Sequence, residues 1–299
     1  MALHNHSIQL SVRAMRVIRF PLTRLVIALC FLMLGVTAGY YLSDAVFWIS
    51  GHDLFKWYDQ FVQLILVCAL SFLSYCLYVG LFEGRRVSEL SMNAFAQTGT
   101  GVLVGIVFVS LTIAGIALFN GYHVSGWNHP EVMIPVFIMA VQAGIIEELL
   151  LRGVAFRIIE DALGTWWSMI LTAFIFGFLH IWNDNASILS SISISITAGF
   201  VLALLYVITR KLWIVIGMHF AWNFTLGGFY GAPVSGGAVE GVLKSELSGP
   251  EWLTGGAFGP EASIIIVVIS IILTIYLINR VIKEKKIIKP MWRRKSQMI

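Results

Sequence analysis

Two adjacent glutamates and an arginine lie inside an apolar stretch of this 299-residue sequence, at Glu147, Glu148 and Arg152. A charged side chain at the centre of a bilayer costs at least about 2.5 kcal/mol, and neighbouring carboxylates also repel each other. Glu148 and Arg152 are spaced i, i+4 with the acid first, which favours an ion pair on one helix face. Glu147 points about 100° away around that helix and needs another polar partner. An unpaired acid in a membrane span indicates a functional site.

Further polar side chains in apolar stretches are His180, His219 and Asn223. Polar groups inside a bilayer must find partners, so we expect these three to gather with Glu147 in the interior of a helix bundle. The i, i+4 spacing of His219 and Asn223 places both on one helix face. Carboxylates and imidazoles gathered in this way can activate water for hydrolysis or relay protons.

The composition indicates that these residues lie in membrane-spanning helices. Hydrophobic residues make up 58% of the chain and charged residues 12%, whereas a soluble domain has about 25% charged residues. The sequence therefore predicts an all-α, polytopic membrane helix bundle with about eight transmembrane helices. The predicted spans cover about 25–47, 61–82, 99–119, 133–157, 166–182, 192–209, 212–229 and 264–281.

The lysines and arginines are divided unevenly between the two sides of this predicted bundle. Eighteen fall on the side of both chain ends, and only Lys56 and Lys244 fall on the other. The positive-inside rule therefore predicts cytoplasmic N- and C-termini. The cations next to the spans need no nucleic-acid partner, and the basic tail is expected to contact anionic lipid. We expect an integral, multi-pass protein, of the bacterial inner membrane if the source is prokaryotic.

The chain divides into three regions of a single integral membrane domain. Residues 1–129 carry the first three spans, 130–230 carry spans four to seven with the polar residues, and 231–299 carry an outer loop, the eighth span and a basic cytoplasmic tail. The predicted depths of the polar residues disagree: with straight helices, Glu147, His180 and His219 would differ by about 10 Å in height. Tilted or irregular spans are needed to bring them together.

Three motifs occur in order along residues 130–230. They are Glu147-Glu148-x-x-x-Arg152, Phe176-x-x-x-His180 and His219-x-x-x-Asn223. This pattern resembles the CPBP family (CAAX protease and bacteriocin-processing, or Abi), which includes the type II CAAX prenyl endopeptidases. The resemblance implies an intramembrane endopeptidase acting on a membrane-associated peptide or protein. The substrate would be a prenylated C-terminal tripeptide, a leader peptide or a membrane-bound precursor, and the sequence does not choose between these or a substrate outside them.

The resemblance also implies a role for each polar residue. Glu147 resembles the general base that activates water, with His180 as its partner. His219 and Asn223 resemble the groups that stabilise the oxyanion. Glu148 and Arg152 resemble a supporting pair. Peptide hydrolysis requires these same two elements, an activated water and donors for the tetrahedral oxyanion.

Alternatives stay open at this point. Glu147, His180 and His219 also form a two-histidine, one-carboxylate set suited to a catalytic Zn²⁺ ion. Because the sequence has no His-Glu-x-x-His motif, we favour a mechanism without a metal cofactor. The other functional classes are a proton-coupled transporter, whose repeats and paired broken helices are not evident here, and a non-catalytic scaffold that binds a partner's transmembrane segment.

Overall fold

The computed structural model describes residues 17–50, 56–90 and 93–294. Arg13, Arg16 and Lys295, which contribute to the predicted charge asymmetry, lie outside these residues. Within them, eight helices are long and apolar enough to cross a membrane. They are α1 (Pro21–Ile49), α2 (Trp57–Glu83), α3 (Ala94–Leu118), α4 (Pro130–Leu163), α5 (Thr165–Trp182), α6 (Ile188–Thr209), α7 (Leu212–Phe229) and α8 (Ile264–Lys283). The predicted helical membrane fold is confirmed, and the orientation of the termini stays a prediction.

The helix limits differ from the predicted spans where polar residues begin or end a helix. Helix α4 has 34 residues and continues to Leu163, beyond the predicted end at 157. Helix α6 begins at Ile188, one turn before the predicted start. The side chain of Ser187 accepts a hydrogen bond from the backbone N–H of Ser190, and the side chain of Ser190 accepts one from the backbone N–H of Ser187. This capping box starts the helix in a serine-rich stretch that hydropathy alone does not assign to a span.

Several spans are not wound as regular α-helix throughout. Residues 149–156 form a π-helical segment directly after Glu148, and residues 224–229 form another directly after Asn223. A third covers 195–199 within α6, and a fourth covers 79–83 at the end of α2. Such π segments are frequent at functional sites, and two of these adjoin predicted site residues. The α-helical pattern of the sequence does not predict them.

The loops between spans carry a small sheet and short helical turns. Strand β1 (Tyr122–Trp127) pairs antiparallel with β2 (Leu243–Leu247), from Tyr122 opposite Leu247 to Trp127 opposite Leu243. The sequence predicted loops here, because β1 is short and contains Gly126. In the structure, the pairing of β1 with β2 is irregular between Val124 and Gly126. Short helical turns cover 130–132, 180–182, 251–254, 256–258, 260–262 and 291–293.

Helix α7, which carries His219 and Asn223, packs in the interior of the bundle. In α7, 72% of the most apolar part is buried inside the protein, against 22% in α1 and α8. Gly144 of α4 packs against α7, and a Cβ atom at this position would lie 3.2 Å from both the Ile216 carbonyl oxygen and the Phe220 nitrogen. Small residues of this kind allow membrane helices to approach closely. The close approach places the Glu147–Glu148 pair of α4 beside the middle of α7.

One end of the bundle is held together by a network of charged groups, here called the basic end. Arg24 contacts Glu83 at 2.7 Å, and Arg85 contacts both Glu83 and Glu89 at 2.7 Å. Arg157 of α4 contacts Glu83 and lies 3.4 Å from Glu89. These pairs join α1, α2, α4 and the connection between α2 and α3, so the charged network fixes the packing of the helix ends.

Candidate active site

A cavity of about 510 Å³ lies between α4, α5, α6 and α7 at the end of the bundle opposite the basic end. All four predicted catalytic residues line it: Glu147, His180, His219 and Asn223. The expected mismatch in depth is wrong for Glu147 and His219, whose Oε2 and Nε2 atoms lie 3.9 Å apart. The packing of Gly144 against the 216–220 stretch of α7 brings the two residues level, although their positions within the spans differ.

Of the two adjacent glutamates, Glu147 is the one that faces the cavity. Its side chain is 33% exposed, whereas the neighbouring Glu148 is completely buried. In the described part of the chain, the ion-pair contact of Glu147 is with His219. A carboxylate that lines a cavity and lies beside an imidazole is placed to hold a water molecule and accept its proton.

Glu148 connects the supporting pair to the imidazole of His219. Its Oε1 atom accepts a hydrogen bond from Nη1 of Arg152 at 2.7 Å and lies 3.0 Å from Nδ1 of His219. The predicted ion pair is therefore present, and neither side chain has exposed surface. Because an ionised carboxylate can only accept, Nδ1 of His219 carries a proton and Nε2 faces Glu147. The contact between Glu148 and His219 was not predicted, since the two lie 71 residues apart.

Arg152 is held from two further directions. Its Nη2 atom donates to the carbonyl oxygen of Gly199 at 3.0 Å, at the end of the π segment of α6. Its guanidinium carbon lies 5.0 Å from the centre of the Phe176 ring. These contacts fix the cation in the interior, so its charge compensates that of Glu148 at a defined place.

His180 presents one free nitrogen to the cavity. Its Nδ1 atom lies 2.8 Å from the carbonyl oxygen of Phe176, which can only accept, so Nδ1 carries the proton. In the neutral ring, Nε2 is then a hydrogen-bond acceptor. The ring is half-buried at the end of α5 and lines the cavity with Glu147. An acceptor at this place suits the predicted partner of the general base.

Asn223 is a buried donor without a partner in the described residues. The residue is 6% exposed and lines the cavity one helical turn after His219. Its side-chain amide makes no hydrogen bond to the residues at 17–50, 56–90 or 93–294. The amide is open to the cavity, where a water molecule or a bound substrate can complete its hydrogen bonding.

The possible zinc ligands Glu147, His180 and His219 line one cavity. In the described part of the chain, no group of three or more His, Cys, Asp or Glu side chains is already arranged to hold a metal ion. Whether the reaction uses zinc stays a prediction.

Two acidic residues of the cavity were not predicted. Glu261 is 3% exposed, and Asp184 lies exposed at the cavity mouth. Glu261 accepts hydrogen bonds from the indole of Trp222 at 2.9 Å and from the hydroxyl of Ser235 at 3.0 Å. Both acids lie in loops, where the sequence gives no signal that separates them from ordinary solvated carboxylates.

The comparison with protein families matches the same part of the chain. Residues 127–225 match the family described as type II CAAX prenyl endopeptidase Rce1-like. No curated protein and no solved structure matches this chain. The matched third contains all six residues of the predicted site, so the resemblance seen in the motifs is confirmed. Together with the eight apolar helices, the match indicates an integral, multi-pass membrane protease.

Proposed function

We propose that this chain, whose residues 127–225 carry the type II CAAX prenyl endopeptidase match, hydrolyses a peptide bond in a membrane-associated peptide or protein. The observation that carries the proposal is the single cavity lined by Glu147, His180, His219 and Asn223. These residues come from three helices and supply a base, its partner and donors for an oxyanion.

In the first step, a water molecule attacks the carbonyl carbon of the scissile bond. Glu147 accepts one proton from this water, and the free Nε2 atom of His180 accepts a hydrogen bond from it. The C–O bond forms as the carbonyl π electrons move to the oxygen. The side-chain amide of Asn223 donates to this oxyanion, as does Nε2 of His219 when both ring nitrogens carry protons.

In the second step, the tetrahedral intermediate collapses and the C–N bond breaks. The proton held by Glu147 passes to the leaving nitrogen, which departs as an amine, and the other product is a carboxylic acid. Glu148 does not exchange a proton in this scheme. It holds the His219 ring through Nδ1, and Arg152 compensates its buried charge.

The deciding experiment measures hydrolysis of internally quenched peptides by purified protein without any ion gradient. Glu147→Gln keeps the shape of the side chain but removes the base, so turnover should fall by about 10²–10⁴-fold while folding is kept. Glu246→Gln is the matched control, because Glu246 is an exposed residue of β2 outside the cavity. Full activity of Glu147→Gln would contradict the mechanism.

The same assay separates the remaining alternatives. Retained activity after removal of metal ions with a chelator supports the glutamate-activated water, whereas stoichiometric zinc whose removal abolishes turnover supports the zinc-dependent version. If no peptide is hydrolysed and a proton gradient drives uptake in vesicles, the transporter becomes the better interpretation. Binding without turnover or transport would favour the scaffold.

A further inference from the structure

The charges that line the catalytic cavity are unbalanced. Three carboxylates line it, those of Glu147, Asp184 and Glu261, whereas no lysine or arginine lines it in the described part of the chain. The nearest arginine, Arg152, is completely buried behind Glu148 and forms its ion pair there. The imidazoles of His180 and His219 also line the cavity, and with His219 protonated, as in the oxyanion step, the three carboxylates still leave net negative charge. A ligand that carries positive charge is therefore favoured here.

Glu261 is the buried member of this set. It is 3% exposed, and in the described part of the chain it has no lysine or arginine within ion-pair distance. Its oxygens accept from the Trp222 indole, and from the backbone N–H and the hydroxyl of Ser235. These donors orient the carboxylate but do not neutralise it, and an uncompensated buried charge is costly.

Asp184 is the exposed member and is held in place at the mouth. Its neighbour Asn183 donates to the carbonyl oxygen of Ser235 at 2.9 Å, and Asn185 donates to that of Gly236 at 3.0 Å. Gly236 has φ +89°, and a Cβ atom there would lie 1.8 Å from the Asp184 carbonyl oxygen, so only glycine fits. The Asp184 carboxylate has no ion-pair partner in the described residues.

The amide of Asn223, a residue that is 6% exposed and makes no hydrogen bond to the described residues, faces this cavity and is available to a bound peptide. A second cavity, of about 640 Å³, adjoins the first and shares Met139 and Val239 with it. Glu131 and Glu240 line this second cavity, and among the described residues its lining contains no lysine or arginine. A peptide that extends from one cavity into the other therefore meets carboxylates in both.

Resting on the proposed function, we propose that the substrate is a peptide segment with a lysine or arginine near the scissile bond, and that Asp184 binds this side chain. The same charges repel a free C-terminal carboxylate next to the cut. An enzyme that releases a short C-terminal peptide must bind the free carboxylate of its substrate. Among the described residues, no lysine or arginine lines this cavity to bind such a carboxylate, so we expect substrates of this kind to be disfavoured.

The test uses purified full-length protein and quenched peptides that differ in one feature. One set places lysine, or glutamine as its neutral counterpart, at each position from three before to three after the cut. A second set ends three residues after the cut, either as the free acid or as the amide. We expect at least one lysine position to raise kcat/KM by about tenfold, an advantage that shrinks as salt rises, and the amide to be cleaved faster than the acid.

Asp184→Asn assigns the contact. It should raise KM for the preferred lysine peptide until its kcat/KM equals that of the glutamine peptide, whose own cleavage should not change. Glu246→Gln, on the exposed face of β2, should leave both peptides unaffected. Equal cleavage of lysine and glutamine peptides, faster cleavage of the free acid, or a lysine preference that survives in Asp184→Asn would each overturn the inference alone. Failure to cleave any peptide would instead remove the proposed function on which it rests.

Discussion

The buried carboxylate of Glu148 contacts two other residues of the site. Its Oε1 atom contacts both Arg152 and His219, while its Oε2 atom has no hydrogen-bond partner. Removing the cation would leave a buried charge next to a site imidazole, and removing the acid would release both neighbours. Glu148 and Arg152 therefore act as one unit with His219. Substitutions in this pair should change the stability and the activity of the protein to different extents.

We predict that Arg152→Ala destabilises the protein by about 3–5 kcal/mol, since both partners are completely buried. Adding Glu148→Gln should restore part of this stability, because the uncompensated charge is then gone. Activity should not return, because His219 loses the carboxylate that orients it. Thermal unfolding in detergent and peptide turnover measure the two effects. An unchanged unfolding temperature of the single variant would show that the pair does not act as a buried ion pair.

The six predicted site residues stand out in the sequence for a physical reason. A glutamate or histidine within an apolar span is costly, so its presence calls for a function. Glu261 and Asp184 lie in loops, where acids are ordinary, and the sequence did not distinguish them from solvated residues. The contact between Glu148 and His219 was equally hidden, because it depends on how α4 and α7 pack.

At the scale of helices, the site depends on the distance between α4 and α7. This distance is set at Gly144, whose nearest neighbours are backbone atoms of Ile216 and Phe220. The sequence predicted the helices themselves, since apolar length is sufficient for that. It did not predict their relative depth, because hydropathy reports which residues are in the membrane and not how two helices slide past each other.

We predict that Gly144→Val lowers both the unfolding temperature and turnover. A Cβ atom at 3.2 Å from rigid backbone leaves no room for a branched side chain, and overpacking of this kind costs about 1–3 kcal/mol. Gly99→Val of α3 is the matched control, because a Cβ atom there meets nothing within 4 Å. Equal losses in both variants would show that helix propensity, and not the spacing of α4 and α7, causes the effect.

The connection between α2 and α3 carries a prediction about acid. Burial alone raises the pKa of Glu89, but hydrogen bonds from Arg85 and the charge of Arg157 outweigh it and lower this pKa to about 2. The ionised carboxylate thus stabilises the fold fully above its ordinary pKa near 4.5, and this contribution is lost as pH falls towards 2. Glu89→Gln should therefore be less stable than the parent at pH 7, and the difference in unfolding temperature should shrink below pH 4. A difference independent of pH would refute this assignment.

At the scale of the whole molecule, the catalytic cavity and the basic end lie at opposite ends of the bundle. Helix α8 begins three residues after Glu261, which lines the cavity, and ends at Lys283, shortly before Ile288 near Arg157 and Arg210. Its 20 residues span about 30 Å at 1.5 Å per residue, the thickness of the hydrocarbon layer. If the basic end is cytoplasmic, the cavity opens on the outer side.

This orientation is a prediction that thiol labelling can test. Glu246→Cys, near the cavity end, should react with a membrane-impermeant maleimide added to intact cells. Lys285→Cys, past the end of α8, should react only after the cells are permeabilised. The native Cys30, Cys68 and Cys76 lie within the spans and give the background signal of the parent protein. The reverse pattern would place the cavity mouth on the cytoplasmic side.

The π-helical winding after Glu148 makes the number of residues in this stretch as important as their identity. Because a π-helical turn holds more residues than an α-helical one, deleting one residue between 153 and 156 would let the stretch rewind as regular α-helix and keep Arg157 on nearly the same face. Inserting one residue, with no further wide winding to absorb it, would turn everything beyond it by about 100° about the axis of α4, and Arg157 would leave its acidic partners at the basic end. Relatives that share this helix packing should therefore lose a residue here more readily than they gain one.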